Sequence, residues 1–287
     1  MFLQCKNFSK ILKCSIFPLF IIIQISSSVP ALAQACGSDP IAFPSASSCS
    51  KEPDSYTVTI YELGLCTTTP TVPTSSVAFS TANCSKVFES TSGTSITITP
   101  SSSSDLTGGV ITIPPAGSYS YGYAVISNLF RIKSTVTFDS SQTGGSGSGS
   151  ICWTTDTSEL VSTGLVSGAY SECGSAEGSQ GTLSSTVDSF TPISNGGPDY
   201  TADDTTSVGT LTAYILGTGN VLASSYGAGA SSQIFGVVSF TTPVNVPTDP
   251  TTFTTLFKSS TGMTVSDNGS GGVAFSGGPF SLKISVN

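Results

Sequence analysis

The sequence predicts an all-β fold, an antiparallel β-sandwich with a jelly roll as its nearest variant. Three observations carry that expectation. Short runs alternate apolar and polar residues at period two, and no window shows a capped 3.6-residue apolar stripe. Serine and threonine make up about a third of the chain; threonine favours strands and serine favours turns. Six cysteines follow an N-terminal leader, an even number that suits three disulfides in an oxidising compartment.

The leader is read over residues 1–33 of the 287. Lys6, Lys10 and Lys13 form a basic start, Ile16–Ile25 an apolar run, and Ala31-Leu32-Ala33 a small-residue cleavage site. The apolar run is shorter than the roughly 20 residues a membrane helix needs. Its ending, ALAQA, resembles leaders of bacterial exported proteins. Ala33-Gln34-Ala35-Cys36 also resembles a lipoprotein box, but Ala33 and Gln34 depart from its pattern, and lipidating Cys36 would strand one thiol. The mature chain is therefore expected to run from 34 to 287 as one domain without a transmembrane segment. Removing three lysines leaves six basic against 17 acidic residues, a formal charge of 6 − 17 = −11. So acidic a chain, without a basic cluster, is not built for nucleic acid.

The stretch Tyr119–Phe138 organises the fold. Tyr119–Ile126 and Leu129–Phe138 flank Ser127-Asn128, where a two-residue turn is expected to set Ile126 opposite Leu129. Such a hairpin puts Tyr119, Tyr121, Tyr123, Val125, Phe130, Ile132, Val136 and Phe138 on one buried face, and Arg131 and Lys133 on the solvated one. Tyr56–Leu65 is the first strong strand; its apolar phase changes between Ile60 and Tyr61, the mark of a bulge. Pro70 and Pro73 make Thr67–Thr74 a loop. Further strands are expected at Val77–Ser80, Lys86–Glu89, Ser95–Thr99, Val110–Ile113, Ser150–Thr154, Val208–Leu216, Gln233–Phe240, Thr252–Phe257, Met263–Val265, Val273–Phe275 and Phe280–Val286. Ser158–Ser167 suits one turn of helix, and Ser171–Gly181 a loop. Gly144–Ser150 (GGSGSGS) has linker composition, read as a flexible loop over 140–150; the alternative is a boundary between two β domains at 144–150.

Nearest-neighbour pairing gives Cys36–Cys49, Cys66–Cys84 and Cys152–Cys173, one of 15 connectivities. No C-x-x-C is present, so redox catalysis and a cysteine zinc site lack their spacing. Histidine is absent altogether. That excludes histidine-activated nucleophiles and histidine-ligated metals.

Paired carboxylates remain as the hydrolytic option: Asp156 with Glu159, Glu172 with Glu177, and Asp199 with Asp203 and Asp204. All lie in polar stretches without an apolar pocket to raise one pKa, so surface acids are expected. Asn195, Asp199, Asp203 and Asp204, within the presumed loop Asn195–Thr206, form the one oxygen-rich candidate for calcium, without an EF-hand spacing. The row Tyr119, Tyr121, Tyr123 is the candidate sugar platform, set against core packing.

The function expected is non-enzymatic: an exported structural or adhesive protein of the cell surface, periplasm or extracellular space, with no cofactor. A calcium- or carbohydrate-binding β module is the alternative, and a carboxylate-dependent glycoside hydrolase the third. The leader, sandwich and sheet edge resemble bacterial donor-strand pilins and matrix-fibre subunits, without a diagnostic motif of either. The resemblance implies that a terminal strand such as Phe280–Val286 is available to complete a neighbour's sheet, with a second copy as the partner; the more frequent alternative is pairing within its own domain. Other surface proteins or glycans are the remaining partner classes.

Overall fold

The structure is a computed structural model. It describes residues 34–286 apart from 43–47, 101–105, 107, 157–159, 162–170, 191–200, 206–208, 226–230, 250–252, 268–271 and 279–280. The described residues are all-β, with mainly antiparallel sheets and one 3-10 turn among them, Thr218–Asn220. No helix of the described residues is long and apolar enough to cross a membrane.

The largest sheet is built on β3 (Ser55–Cys66). β1 (Gln34–Ala35) and β2 (Ser48–Lys51) precede it. One edge of β3 pairs with β4 (Cys84–Ile98), which pairs in turn with the short β5 (Val110–Ile111). The other edge of β3 pairs with two successive strands, β6 (Gly117–Ser127) and β7 (Leu129–Lys133). Ile60 stands opposite Ile126, and Thr57 opposite Arg131. β6 and β7 therefore run in one line beside β3, with two extra residues between those pairs.

This corrects the expected hairpin at Ser127-Asn128. β6 and β7 do not pair with each other. Among the described non-glycine residues only Asn220 has a positive φ, so Asn128 does not take the left-handed turn conformation. The physical reason is the uninterrupted edge that β3 offers to both halves. Its backbone groups are satisfied by a continuing chain, and no reversal is needed.

The correction changes which side chains share a face. A two-residue turn shifts the alternation by one, whereas a two-residue bulge preserves it. Ile126, Phe130 and Ile132 pack in one core with Tyr56, Val58, Ile60 and Leu63. Tyr123 and Val125 pack in another with Cys66, Phe235 and Val237. The sheet is thus buried on both faces along β6, where one buried face had been expected.

Three more strands extend the β6 half. β15 (Gln233–Val246) pairs with β6, β14 (Gly209–Leu216) with β15, and β13 (Thr201–Thr205) with β14 at the edge. The β7 half is extended by β12 (Leu183–Thr186) and β10 (Leu160–Val161). At Ser134 the chain leaves for a three-stranded sheet of β8 (Thr135–Thr143), β9 (Ser148–Thr154) and β11 (Ser171–Gly174). A four-stranded sheet joins β1 and β2 to β17 (Met263–Asp267) and β18 (Val273–Gly277). The first core named above also takes in Val136 and Phe138 of β8, and Met263, Val265, Val273 and Phe275 of β17 and β18.

Several sequence expectations hold. The bulge falls at Tyr61, where the β3–β4 and β3–β6 registers shift between Ile60 and Glu62. The disulfides are Cys36–Cys49, Cys66–Cys84 and Cys152–Cys173. Cys66 stands opposite Cys84, and Cys152 opposite Cys173, in their ladders.

Others are corrected. Val77–Ser80 is no strand beyond the bridge of Ser80 to Thr71. Lys86–Glu89 and Ser95–Thr99 merge into the single strand β4. The start of Ser171–Gly181 is β11 rather than loop. Residues 140–150 hold the end of β8, a turn over 144–147 closed by Gly144 N–H to Gly147 O at 2.7 Å, and the start of β9. A Cβ on Gly147 would lie 2.5 Å from the Cys173 carbonyl oxygen, so the glycines here let two backbones meet beside the disulfide. Ser158–Ser167 lies mostly outside the described residues.

Candidate interaction surface

Two faces of β3 follow from its alternation. Tyr56, Val58 and Ile60 point into the first core, so Ser55, Thr57 and Thr59 point the other way. Their cross-strand partners share that outer face: Thr97 opposite Thr57, Ser95 opposite Thr59, Arg131 opposite Thr57 and Lys133 opposite Ser55. Ser184 of β12 stands opposite Arg131. Hydroxyls link across the strands, Thr57 Oγ1 to Thr97 Oγ1 at 2.9 Å and Thr59 Oγ1 to Ser95 Oγ at 2.8 Å. Ser95, Thr97, Arg131 and Lys133 are exposed, and Ser55, Thr57, Thr59 and Ser184 half-buried.

Beyond the Tyr61 bulge the same face turns apolar and is covered. The loop from Thr67 to Asn83 lays Val72 and Phe79 against Tyr123, Val125, Phe235 and Val237. Phe79 stacks on Phe235 with ring centroids 4.4 Å apart. The Cys66–Cys84 disulfide closes the loop at its base, and Asn83 Nδ2 donates to Thr68 Oγ1 at 2.6 Å within it. One sheet face is therefore divided into an open hydroxyl half and a capped apolar half. Gly93 sits at the border with φ +78°, where a Cβ would meet Thr59 Cγ2 at 2.5 Å.

A polar cluster lies under the rim of the capped half. The Tyr123 hydroxyl donates to Glu62 Oε1, and Lys86 Nζ bridges Glu62 Oε2 at 3.1 Å and Glu89 Oε1 at 2.7 Å. Burial, then the Glu62 hydrogen bond, hold the Tyr123 hydroxyl far above the usual tyrosine range. The Glu89 hydrogen bond leads the effects that raise Lys86. Both carboxylates are thus tied to one ammonium, which fixes them as ion-pair acceptors. Sequence reasoning missed this cluster because Glu62, Lys86 and Tyr123 come from three strands and only the register unites them.

The structure places the predicted site residues as follows. Asn195 and Asp199 lie outside the described residues. Asp203 and Asp204 stand in β13, opposite Thr212 and Leu211, so this part of the presumed calcium loop is an edge strand. No group of three or more His, Cys, Asp or Glu is disposed to hold a metal among the described residues. Of the acid pairs, Asp156 Oδ1 accepts the Thr182 N–H at 2.7 Å, Glu172 accepts from Ser146 at 2.9 Å and Glu177 from Thr135 at 2.7 Å. Glu159 is outside the described residues. Tyr119 and Tyr123 are buried; the Tyr119 hydroxyl donates to the Pro115 carbonyl at 2.7 Å. They face away from Phe130 and Ile132, contrary to expectation. Phe280 lies outside the described residues, and β19 (Ser281–Val286) pairs with β16 (Phe253–Lys258) of its own chain.

β5 supplies a second exposed feature. Val110, Ile111 and Ile113 are 67%, 55% and 56% exposed beside β4, a sheet margin that keeps apolar side chains in water. Comparison with protein-family models, curated proteins and solved structures found no match to this chain.

Proposed function

We propose that the chain is a non-enzymatic exported protein that acts by surface contact, as a structural or adhesive component outside the cell. In this reading residues 1–33 are a cleaved leader, and the remainder is one disulfide-stapled β-sandwich domain. The observation that carries it is the open half of the β3–β4–β7 face, a broad array of hydroxyls aligned across strands. Such an array suits an extended partner, since each strand adds hydrogen-bonding groups at a spacing of about 4.8 Å. Three disulfides suit an oxidising compartment outside the cytoplasm. Asp156, Glu172 and Glu177 serve structural hydrogen bonds, and Glu62 and Glu89 an ion pair with Lys86, which favours contact over hydrolysis as the role.

Gold labelling of intact, unpermeabilised producing cells with an antibody to the mature chain tests this reading. Label on the envelope or in extracellular material, on a chain whose N-terminus begins at Gln34, is the expected result. Label confined to the cytoplasm after sectioning contradicts it.

A further inference from the structure

We infer that the open half of the β3–β4–β7 face docks an anionic polysaccharide, a glycan carrying carboxylate or sulfate groups. The inference rests on the contact reading above and names the partner for that surface. The face is set apart by its charge. Of the cations whose side chains are described, Lys51 pairs with Asp39 at 2.7 Å, and Lys86 is held by Glu62 and Glu89. Arg131 and Lys133 have no carboxylate partner among the described residues, although the chain carries 17 acids. They stand two residues apart on one side of β7, about 6.6 Å along the strand.

Around them the face holds Ser55, Thr57, Thr59, Ser95, Thr97 and Ser184, without an acidic residue. Two acids border the face beyond Lys133, both engaged in hydrogen bonds: Asp54 accepts the Thr135 N–H at 3.0 Å and Gln180 Nε2 at 2.7 Å, and Glu177 accepts from Thr135 Oγ1 at 2.7 Å. The row Ser184–Arg131–Thr57–Thr97 crosses four strands, or about 14 Å at normal strand spacing. Two cations in a field of hydroxyls match a partner that offers anions interleaved with hydroxyls. A nucleic acid offers anions too, but single strands bind on aromatic platforms, and this face has none. The net charge of the whole chain opposes any polyanion at long range, yet at physiological salt charges more than about 8 Å away are largely screened. Binding is therefore local and sensitive to salt.

The test uses the oxidised mature chain and its Arg131→Gln/Lys133→Gln variant, with polygalacturonate, neutral dextran and duplex DNA as probes. Affinity electrophoresis is expected to show retention by polygalacturonate, none by dextran, and about a tenfold weaker interaction for the variant. Unchanged thermal melting of the variant shows that its fold is intact; should it melt early, Arg131→Lys, which keeps the charge, is expected to bind like the parent. Equal retention by dextran, equal or tighter binding of DNA, or no loss in the double variant overturns the assignment. None of these outcomes alters the envelope labelling that tests the contact reading, so the two fail separately.

Discussion

The Asn128 side-chain amide donates to Ser231 Oγ at 2.9 Å, joining the kink between β6 and β7 to the approach of β15. The same amide donates to the Val187 carbonyl at 3.2 Å, just beyond β12. Its backbone N–H bonds Ser232 O, and its carbonyl accepts Val187 N–H. Asn128 is thus the point at which the line β6–β7 exchanges one outer neighbour for another. Because it is buried, removing its side chain leaves polar groups without partners. Asn128→Ala is expected to cost about 2–3 kcal/mol, read as a lowered urea midpoint with an unchanged slope.

Gly64 clears the space for the Tyr123 ring. A Cβ there would stand inside the ring, whose hydroxyl is fixed by Glu62, so the ring has nowhere to go. Gly64→Ala is expected to destabilise by about 1–3 kcal/mol. Gly37→Ala, where no heavy atom lies near the added Cβ, is the matched control and is expected to be neutral.

The buried tyrosines make stability fall in alkali. Burial raises Tyr56, and burial with the Glu62 bond raises Tyr123, so both keep their protons in the fold while the unfolded chain releases them near pH 10. A raised folded-state pKa contributes stability below the unfolded pKa that is lost as pH climbs beyond it. Each tyrosine is expected to remove about 1.4 kcal/mol per pH unit above about pH 10. Lys86, raised chiefly by its bond to Glu89, declines in the same direction. Urea midpoints measured from pH 8 to 11 should fall less steeply for Tyr123→Phe than for the parent.

The three disulfides differ in access. Cys66, Cys152 and Cys173 are buried, whereas Cys36 and Cys49 are both half-buried. Under graded reductant Cys36–Cys49 is expected to open first, as shown by mass mapping of alkylated thiols. The Cys152→Ser/Cys173→Ser variant is expected to lose about 3 kcal/mol, given a closed loop with sequence separation 21.

Strand content, the Tyr61 bulge and the three pairings could be read from residues, because period-two alternation and short cysteine spacing are local signals. The Asn128 kink could not. Asn128 marks a turn by propensity, and only the edge of β3, some 70 residues away, decides between reversal and continuation. Leu183–Thr186 and Thr201–Thr205 carry too few apolar residues to announce themselves, and their pairing to β7 and β14 makes them strands. The exposure of Arg131 and Lys133 was legible. Their setting among Thr57, Thr97 and Ser184 required the register.

The claim that the open half of the β3 face makes the functional contact is tested most directly by blocking it. Ser95→Cys on that face and Thr218→Cys in the exposed 3-10 turn are each coupled to a bulky polyethylene-glycol maleimide, and attachment of the mature chain to producing-cell envelopes is measured. The account predicts that the conjugate at position 95 fails to attach while the one at 218 attaches like the parent. Equal attachment of the two conjugates would contradict it.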